Sequence, residues 1–161
     1  MRARSLRHRL MSRLVLIRHA KSSWVTQKGD KERPLDERGV QQTSLIGSTL
    51  TRLGLTGPRV LCSAAARTRE TWERVSAACP DAQVEIRDDL YLASSQAYIA
   101  AIDEREGDTI LIGHNPTCAE LLTIWGEGDG KYPTGSVAVF ERGDPPRLVS
   151  FASPRTMAAN A

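Results

Sequence analysis

Cysteine is scarce in this sequence, and what there is does not suit bridging. Cys62, Cys79 and Cys118 are odd in number and lie far apart, which excludes a disulfide framework and leaves no zinc-ligand spacing. They are expected as reduced thiols packed inside a cytoplasmic protein. Long apolar runs are also missing. None approaches the roughly 18 residues that span a bilayer, so no membrane partner is expected. The basic start, Met1 to Ser12, lacks the apolar stretch of roughly 7–15 residues that a signal peptide carries, which argues against export by that route.

Acidic residues are absent before residue 14, whereas Arg2, Arg4, Arg7, Arg9 and Arg13 supply five positive charges. Removing those five from the formal net charge of +3 leaves −2 for the remainder. The basicity therefore belongs to a short arm, and no nucleic-acid partner is expected. The arm reads as flexible, and Met11 could begin a chain that enters the first strand directly. Internal repeats and low-complexity blocks are lacking too.

What is present suits one soluble globular domain. The chain has 161 residues, 40% of them hydrophobic and 25% charged, enough to bury a core without staples. Apolar runs of strand length recur at Leu14–Ile17, Val60–Cys62, Val84–Ile86, Thr109–Ile112, Val137–Phe140 and Leu148–Phe151, and they read as short buried strands. Helical stripes separate the early runs. Ile46, Leu50 and Leu53 share one face, widened by Val40 and Leu45, behind Asp36 as cap. Thr68, Trp72, Val75 and Cys79 form a second stripe that Pro80 ends. Tyr98, Ile99 and Ile102 suggest a third helix. Cys118, Leu121, Leu122 and Trp125 form a fourth stripe, with Asn115 as cap and Pro116 at the first helical position.

This alternation predicts an α/β fold: a three-layer α/β/α sandwich with a mostly parallel central sheet. The last two strands, joined through Gly143-Asp144-Pro145-Pro146, are expected as an antiparallel edge hairpin. Residues 126–135, with four glycines and a proline, read as a mobile surface loop. The expected boundaries are a basic arm over 1–12, a domain over 13–152 and a C-terminal tail over 153–161.

Ligands of open α/β sheets bind beyond the carboxyl ends of the strands. Three runs end in residues suited to phosphate: Arg18-His19-Ala20-Lys21 after the first, Ser63-Ala64-Ala65-Ala66-Arg67-Thr68 after the second, and Gly113-His114-Asn115-Pro116 after the fourth. Arginine offers planar, two-pronged hydrogen bonds to phosphate oxygens and stays charged. Neutral histidine can attack phosphorus and carry the phosphoryl group as a covalent intermediate. His114 precedes a helix start, where free N–H groups favour an anion. A single histidine or arginine at a strand end is ordinary; the joint set after three strands points to one phosphate site, provided the strands are neighbours.

The stretch Leu16 to Trp24, then Asp30 through Arg33-Pro34-Leu35 to Gly39, then Ser63 to Thr68 with Glu70-Thr71, and finally Gly113-His114-Asn115-Pro116 resembles the histidine phosphatase superfamily, whose fold is phosphoglycerate mutase-like. The short chain and the Arg-His-Ala-Lys-Ser start resemble its SixA-type phosphohistidine phosphatase branch. The resemblance covers roughly residues 14–142. It implies that His19 becomes phosphorylated, that Arg18 and Arg67 bind the phosphoryl oxygens with His114 completing the pocket, and that no metal or other cofactor is needed. The implied partner is a phosphorylated protein, or else a small phosphorylated substrate. Oligomeric state is left open.

Many relatives in the wider superfamily carry a carboxylate that protonates the leaving group. Asp88 and Asp89 are the candidates here, although both could be turn or cap residues, and the SixA branch manages without such an acid. Asp30, Arg33 and Pro34 read as structural: a proline turn and a salt-bridged arginine leading into the first helix. A cysteine phosphatase built on Cys62 and Arg67 is the enzymatic rival. It needs five intervening residues and a backbone cradle, and this chain has four, with no glycine among them. A phosphoglycerate mutase of the same superfamily also competes, as does a non-catalytic module that binds a phosphoprotein.

Overall fold

The computed structural model describes residues 12–126 and 128–160. The basic arm expected over 1–12 lies outside the described residues except for Ser12. Six strands form one sheet: β1 (Arg13–Arg18), β2 (Arg59–Ser63), β3 (Gln83–Arg87), β4 (Thr109–Gly113), β5 (Val137–Glu141) and β6 (Arg147–Ala152). Among the described residues five α-helices accompany them: α1 (Glu37–Leu53), α2 (Ala66–Val75), α3 (Ser95–Asp103), α4 (Thr117–Trp125) and α5 (Pro154–Ala159).

The strand order is β3-β2-β4-β1-β5-β6. The first four are mutually parallel, while β5 runs antiparallel to β1 and β6 antiparallel to β5. This is the expected mostly parallel sheet with an antiparallel edge hairpin. The central strands β1, β2 and β4 are apolar on both faces because both faces are covered. Leu14, Leu16, Leu61 and Leu111 meet α3 and α4 on one side. Val15, Ile17, Val60, Cys62, Ile110 and Ile112 meet α1, α2 and α5 on the other, giving three layers.

The outer strands differ from the buried strands expected of them. Val84 and Ile86 of β3 and Val149 and Phe151 of β6 are exposed, because each strand has a neighbour on one side and incomplete helical cover. The segment 153–161, read as a tail, contains α5 instead. Ser153 and Thr156 form a reciprocal capping box, and Met157 is buried against the layer that contains α1.

Helix boundaries follow their caps. The Asp36 side chain accepts from Gly39 N, and Gly54 ends α1 in the left-handed conformation. Helix α2 stops at Val75 rather than reaching Cys79, and a 3₁₀ turn over Ser76–Ala78 intervenes. Helix α4 begins at Thr117, one residue later than Pro116; the Asn115 side chain still serves its first turn by accepting from Ala119 N at 3.2 Å.

The glycine-rich stretch is pinned in its second half, unlike the mobile surface loop expected: Gly135 N donates to Arg18 O and His19 O at 3.1 and 2.9 Å, and Tyr132 is 1% exposed. Its hydroxyl donates to Leu16 O and accepts from Ala138 N, which ties the stretch to the middle of β1 and to β5.

Candidate active site

Because β2, β4 and β1 are consecutive in the sheet, the three motif-bearing strand ends fall in one row. Arg18 lies opposite Gly113, and Cys62 opposite Ile112. The residues that follow, His19, Ser63 and His114, therefore share the carboxyl edge. The imidazoles of His19 and His114 lie 5.3 Å apart between centroids. Arg67, in the first turn of α2, completes the cluster: its charge and that of Arg18 both act on His19 and on His114.

The loop after β1 is fixed by its neighbours. His19 N donates to Gly113 O at 3.1 Å, Ala20 N to Thr71 Oγ1 at 3.0 Å, and Lys21 N to Gln42 Oε1 at 2.9 Å. Gly39 lies so close to this loop that a Cβ there would overlap the Lys21 carbonyl oxygen. His19 Nδ1 lies 2.8 Å from Ala20 O. A carbonyl oxygen only accepts, so Nδ1 carries the proton and the lone pair of the neutral ring sits on Nε2. Burial pushes the His19 imidazole well below its ordinary value, and His114, Arg67 and Arg18 push the same way against the Ala20 hydrogen bond. His19 is therefore neutral at pH 7.

Each surrounding group is tied at one end and bare at another. Arg18 Nη1 donates to Tyr132 O at 2.9 Å. Arg67 Nη1 and Nη2 reach Asp30 O and Oδ2 at 2.8 and 3.2 Å. His114 Nε2 meets Ser63 Oγ at 2.8 Å. Left buried and without a partner among the described residues are Arg18 Nε, Arg67 Nε and His114 Nδ1, together with Ser136 Oγ. Each such group costs about 1–3 kcal/mol. Two arginines and two imidazoles gathered at one edge form a donor-rich, positively charged cluster, chemistry suited to a tetrahedral anion with its many acceptor oxygens.

Asp30 has a larger part than the turn expected for it. Besides Arg67 it accepts from Tyr91 Oη at 2.6 Å and from Arg33 Nε at 3.1 Å. Tyr91 in turn packs edge-on against His114, 5.8 Å between centroids. The Tyr91 hydrogen bond, with the Arg67 and Arg33 contacts, draws the Asp30 carboxyl down to about 2, so it is ionised. Arg33 is buried and salt-bridged, as expected, and Trp24 stacks on its guanidinium at 3.6 Å. The sequence assigned no role to Tyr91, and marked Ser63 only by its place at a strand end.

Asp88 and Asp89 are engaged in exposed ion pairs instead, Asp88 with Lys31 at 2.8 Å and Asp89 with Arg87 at 2.7 Å. Cys62 faces the α1, α2 and α5 layer and is fully buried. Desolvation raises its thiol to about 12, which leaves no thiolate for a cysteine mechanism. A separate cavity of about 580 Å³, lined by Leu14, Ile102, Trp125 and Arg142 among others, lies at the opposite edge of the sheet, away from this chemistry.

A family model described as the histidine phosphatase superfamily, branch 1, matches residues 14–91. An uncharacterized protein of Mycobacterium tuberculosis is 31% identical over 138 residues, covering 76% of this chain and 85% of that protein. One of Mycobacterium leprae is 31% identical over 140 residues with the same coverage, 76% and 85%. Among solved structures, a protein of Agrobacterium tumefaciens assigned as phosphohistidine phosphatase SixA superposes with a TM-score of 0.79 at 29% identity, covering 89% of this chain and 98% of that one. A tungstate complex of the protein histidine phosphatase SixA gives 0.77 at 22% identity, with 89% and 97% coverage, a likeness of fold.

Proposed function

This chain belongs to the histidine phosphatase superfamily and is a phosphatase of the SixA type, from which we propose that it removes phosphoryl groups from phosphohistidine in a protein, by way of a phosphohistidine on its own His19. The observation that carries the reading is the meeting, at one edge of the sheet, of a neutral histidine whose Nδ1 is taken by Ala20 O with a second imidazole and the charges of Arg18 and Arg67.

In the first half-reaction the phosphoryl group sits among Arg18, Arg67 and His114. His19 Nε2 attacks phosphorus and the new P–N bond forms while the bond to the substrate imidazole breaks; that ring, protonated on its other nitrogen, keeps the electron pair and leaves as neutral imidazole. In the second, water attacks the phosphorus on His19, inorganic phosphate leaves and His19 is restored. The two arginines and the His114 donor balance the charge on the equatorial oxygens as it redistributes. With that positive charge supplied by side chains, no metal is required.

The substrate class follows from the acids. Asp30 is held ionised by its hydrogen bonds, the Arg87 pair lowers Asp89, and Asp88 is engaged by Lys31. Each is taken up by these partners, and none stands free beside a leaving alkoxide. A phosphoramidate, whose imidazole leaves more readily than an alkoxide, suits such a site better than a serine phosphate.

Phosphate release is measured from a phosphohistidine peptide and from p-nitrophenyl phosphate in EDTA. Wild-type protein is expected to turn over both, and His19→Ala neither. Residual turnover by that variant comparable to wild type overturns the assignment of His19, and loss of wild-type turnover in EDTA overturns metal independence. Strong activity on a small phosphate ester with none on phosphohistidine overturns the substrate class.

A further inference from the structure

His114 has two ring nitrogens and two different neighbours to serve. Nε2 is engaged by Ser63 Oγ at 2.8 Å. Nδ1 is buried and without a partner among the described residues, so it is the nitrogen left for a phosphoryl oxygen. The His114 backbone is fixed as well: its N donates to Tyr98 Oη at 3.0 Å, and its O accepts from Cys118 N at 2.9 Å. Ser63 is fully buried at the end of β2. Its hydroxyl has no other partner among the described residues, because Thr68 Oγ1 takes the Ser63 carbonyl and not the side chain.

The direction of the Ser63 bond is open in geometry but not in chemistry. A phosphoryl group presents only acceptor oxygens. If Nε2 held the proton and donated to Ser63, the Nδ1 lone pair would face those oxygens, lone pair against lone pair. If both nitrogens held protons, the ring would add a positive charge. Burial and the Arg67, Arg18 and Arg33 charges oppose that charge, Asp30 alone among the named groups favours it, and the balance draws His114 down to about 4. A neutral ring has one proton, and it is useful only on Nδ1.

We infer that Ser63 is a positioning residue: it donates its hydroxyl proton to His114 Nε2 and thereby holds the His114 proton on Nδ1, toward the transferring phosphoryl group. The assignment rests on the phosphatase reading of the same site and adds a residue to it. Ala20 O does the converse for His19, fixing its proton on Nδ1 so that Nε2 is bare. The two imidazoles, 5.3 Å apart, are thus set in complementary roles by one backbone carbonyl and one hydroxyl. One presents a lone pair and the other an N–H.

Nitrogen-15 spectra of the imidazoles test this in the full chain at pH 7, with and without inorganic phosphate. The His114 signals of the wild type are expected to show an unprotonated Nε2 and a protonated Nδ1 in both conditions. Ser63→Ala removes one oxygen; thermal unfolding checks that it folds. Its His114 is expected to show a mixture of tautomers, and its kcat on p-nitrophenyl phosphate to fall about tenfold, the worth of one oriented hydrogen bond. A protonated Nε2 in the wild type overturns the inference whatever the variant does. So does a folded Ser63→Ala protein with unaltered tautomer and kcat. The phosphatase reading fails by a different result, full activity of His19→Ala, which leaves the tautomer measurement standing.

Discussion

At the scale of single residues, the pocket is set for neutral imidazoles. His19 lies well below its ordinary value and His114 at about 4, so neither ring gains a proton as pH falls through 6.5. The acid limb of kcat/KM is therefore expected below 6, not at the value of free histidine, and a pH–rate profile from 4 to 9 checks it. An acid limb centred at 6.5 would mean that one of the rings is solvated as free histidine is. The thiol at Cys62 gives a second prediction. Held up near 12 and packed away from the pocket, it should leave activity intact after iodoacetamide treatment at pH 7.5, with mass spectrometry showing Cys62 unmodified.

At the scale of elements, the join between β1 and α1 sets the precision of the site. Gly39 touches the Lys21 backbone two residues beyond His19, so Gly39→Ala must push either α1 or the loop. A loss of about 1–3 kcal/mol in urea unfolding is expected, together with reduced kcat. Helix α5 separates stability from chemistry. Met157 is buried in the layer behind the sheet, and Met157→Ala should cost about 2–5 kcal/mol while kcat at 25 °C stays unchanged.

This is also the scale at which sequence reading succeeded and failed. Arg18-His19, Ser63 to Arg67 and Gly113-His114 announced themselves because each follows directly on an apolar run, a purely local signal. Asp30 did not. Its partners Arg67 and Tyr91 lie 37 and 61 residues away in sequence, and only the fold brings them together. The exposed Val84 and Ile86 misled for a related reason: a β-branched residue on an edge strand looks the same as one in the centre. Helix α5 was hidden because a six-residue helix has too few turns to show a period.

At the scale of the whole molecule, the strand order β2-β4-β1 is what converts three distant motifs into one pocket, and it is legible from sequence only as a requirement of the chemistry. Stability should follow pH accordingly. His114 titrates at 6.5 when unfolded and at about 4 when folded, so as pH falls the unfolded chain takes the proton first. The native state loses stability from about 6.5 downward until the folded ring also protonates. Asp30, at about 2 folded against 3.8 unfolded, adds loss between those values. Urea midpoints at pH 7, 5 and 3 are expected to fall in that order; a midpoint at pH 5 equal to that at pH 7 would contradict the buried neutral His114.

Tyr132 carries a consequence for how this protein can be altered. Its carbonyl holds both Arg18 and Asn115 at 2.9 and 3.0 Å, while its ring anchors on the strand beneath, so the chain is clamped immediately after Lys131. Asp129 and Gly130, both exposed, lie outside the clamp. Added length at that point should be absorbed without reaching the arginine, which makes it the natural place to splice in a fluorophore-bearing peptide or an extra recognition segment. Added length between Tyr132 and Ser136, inside the clamp, should instead cost the enzyme its activity.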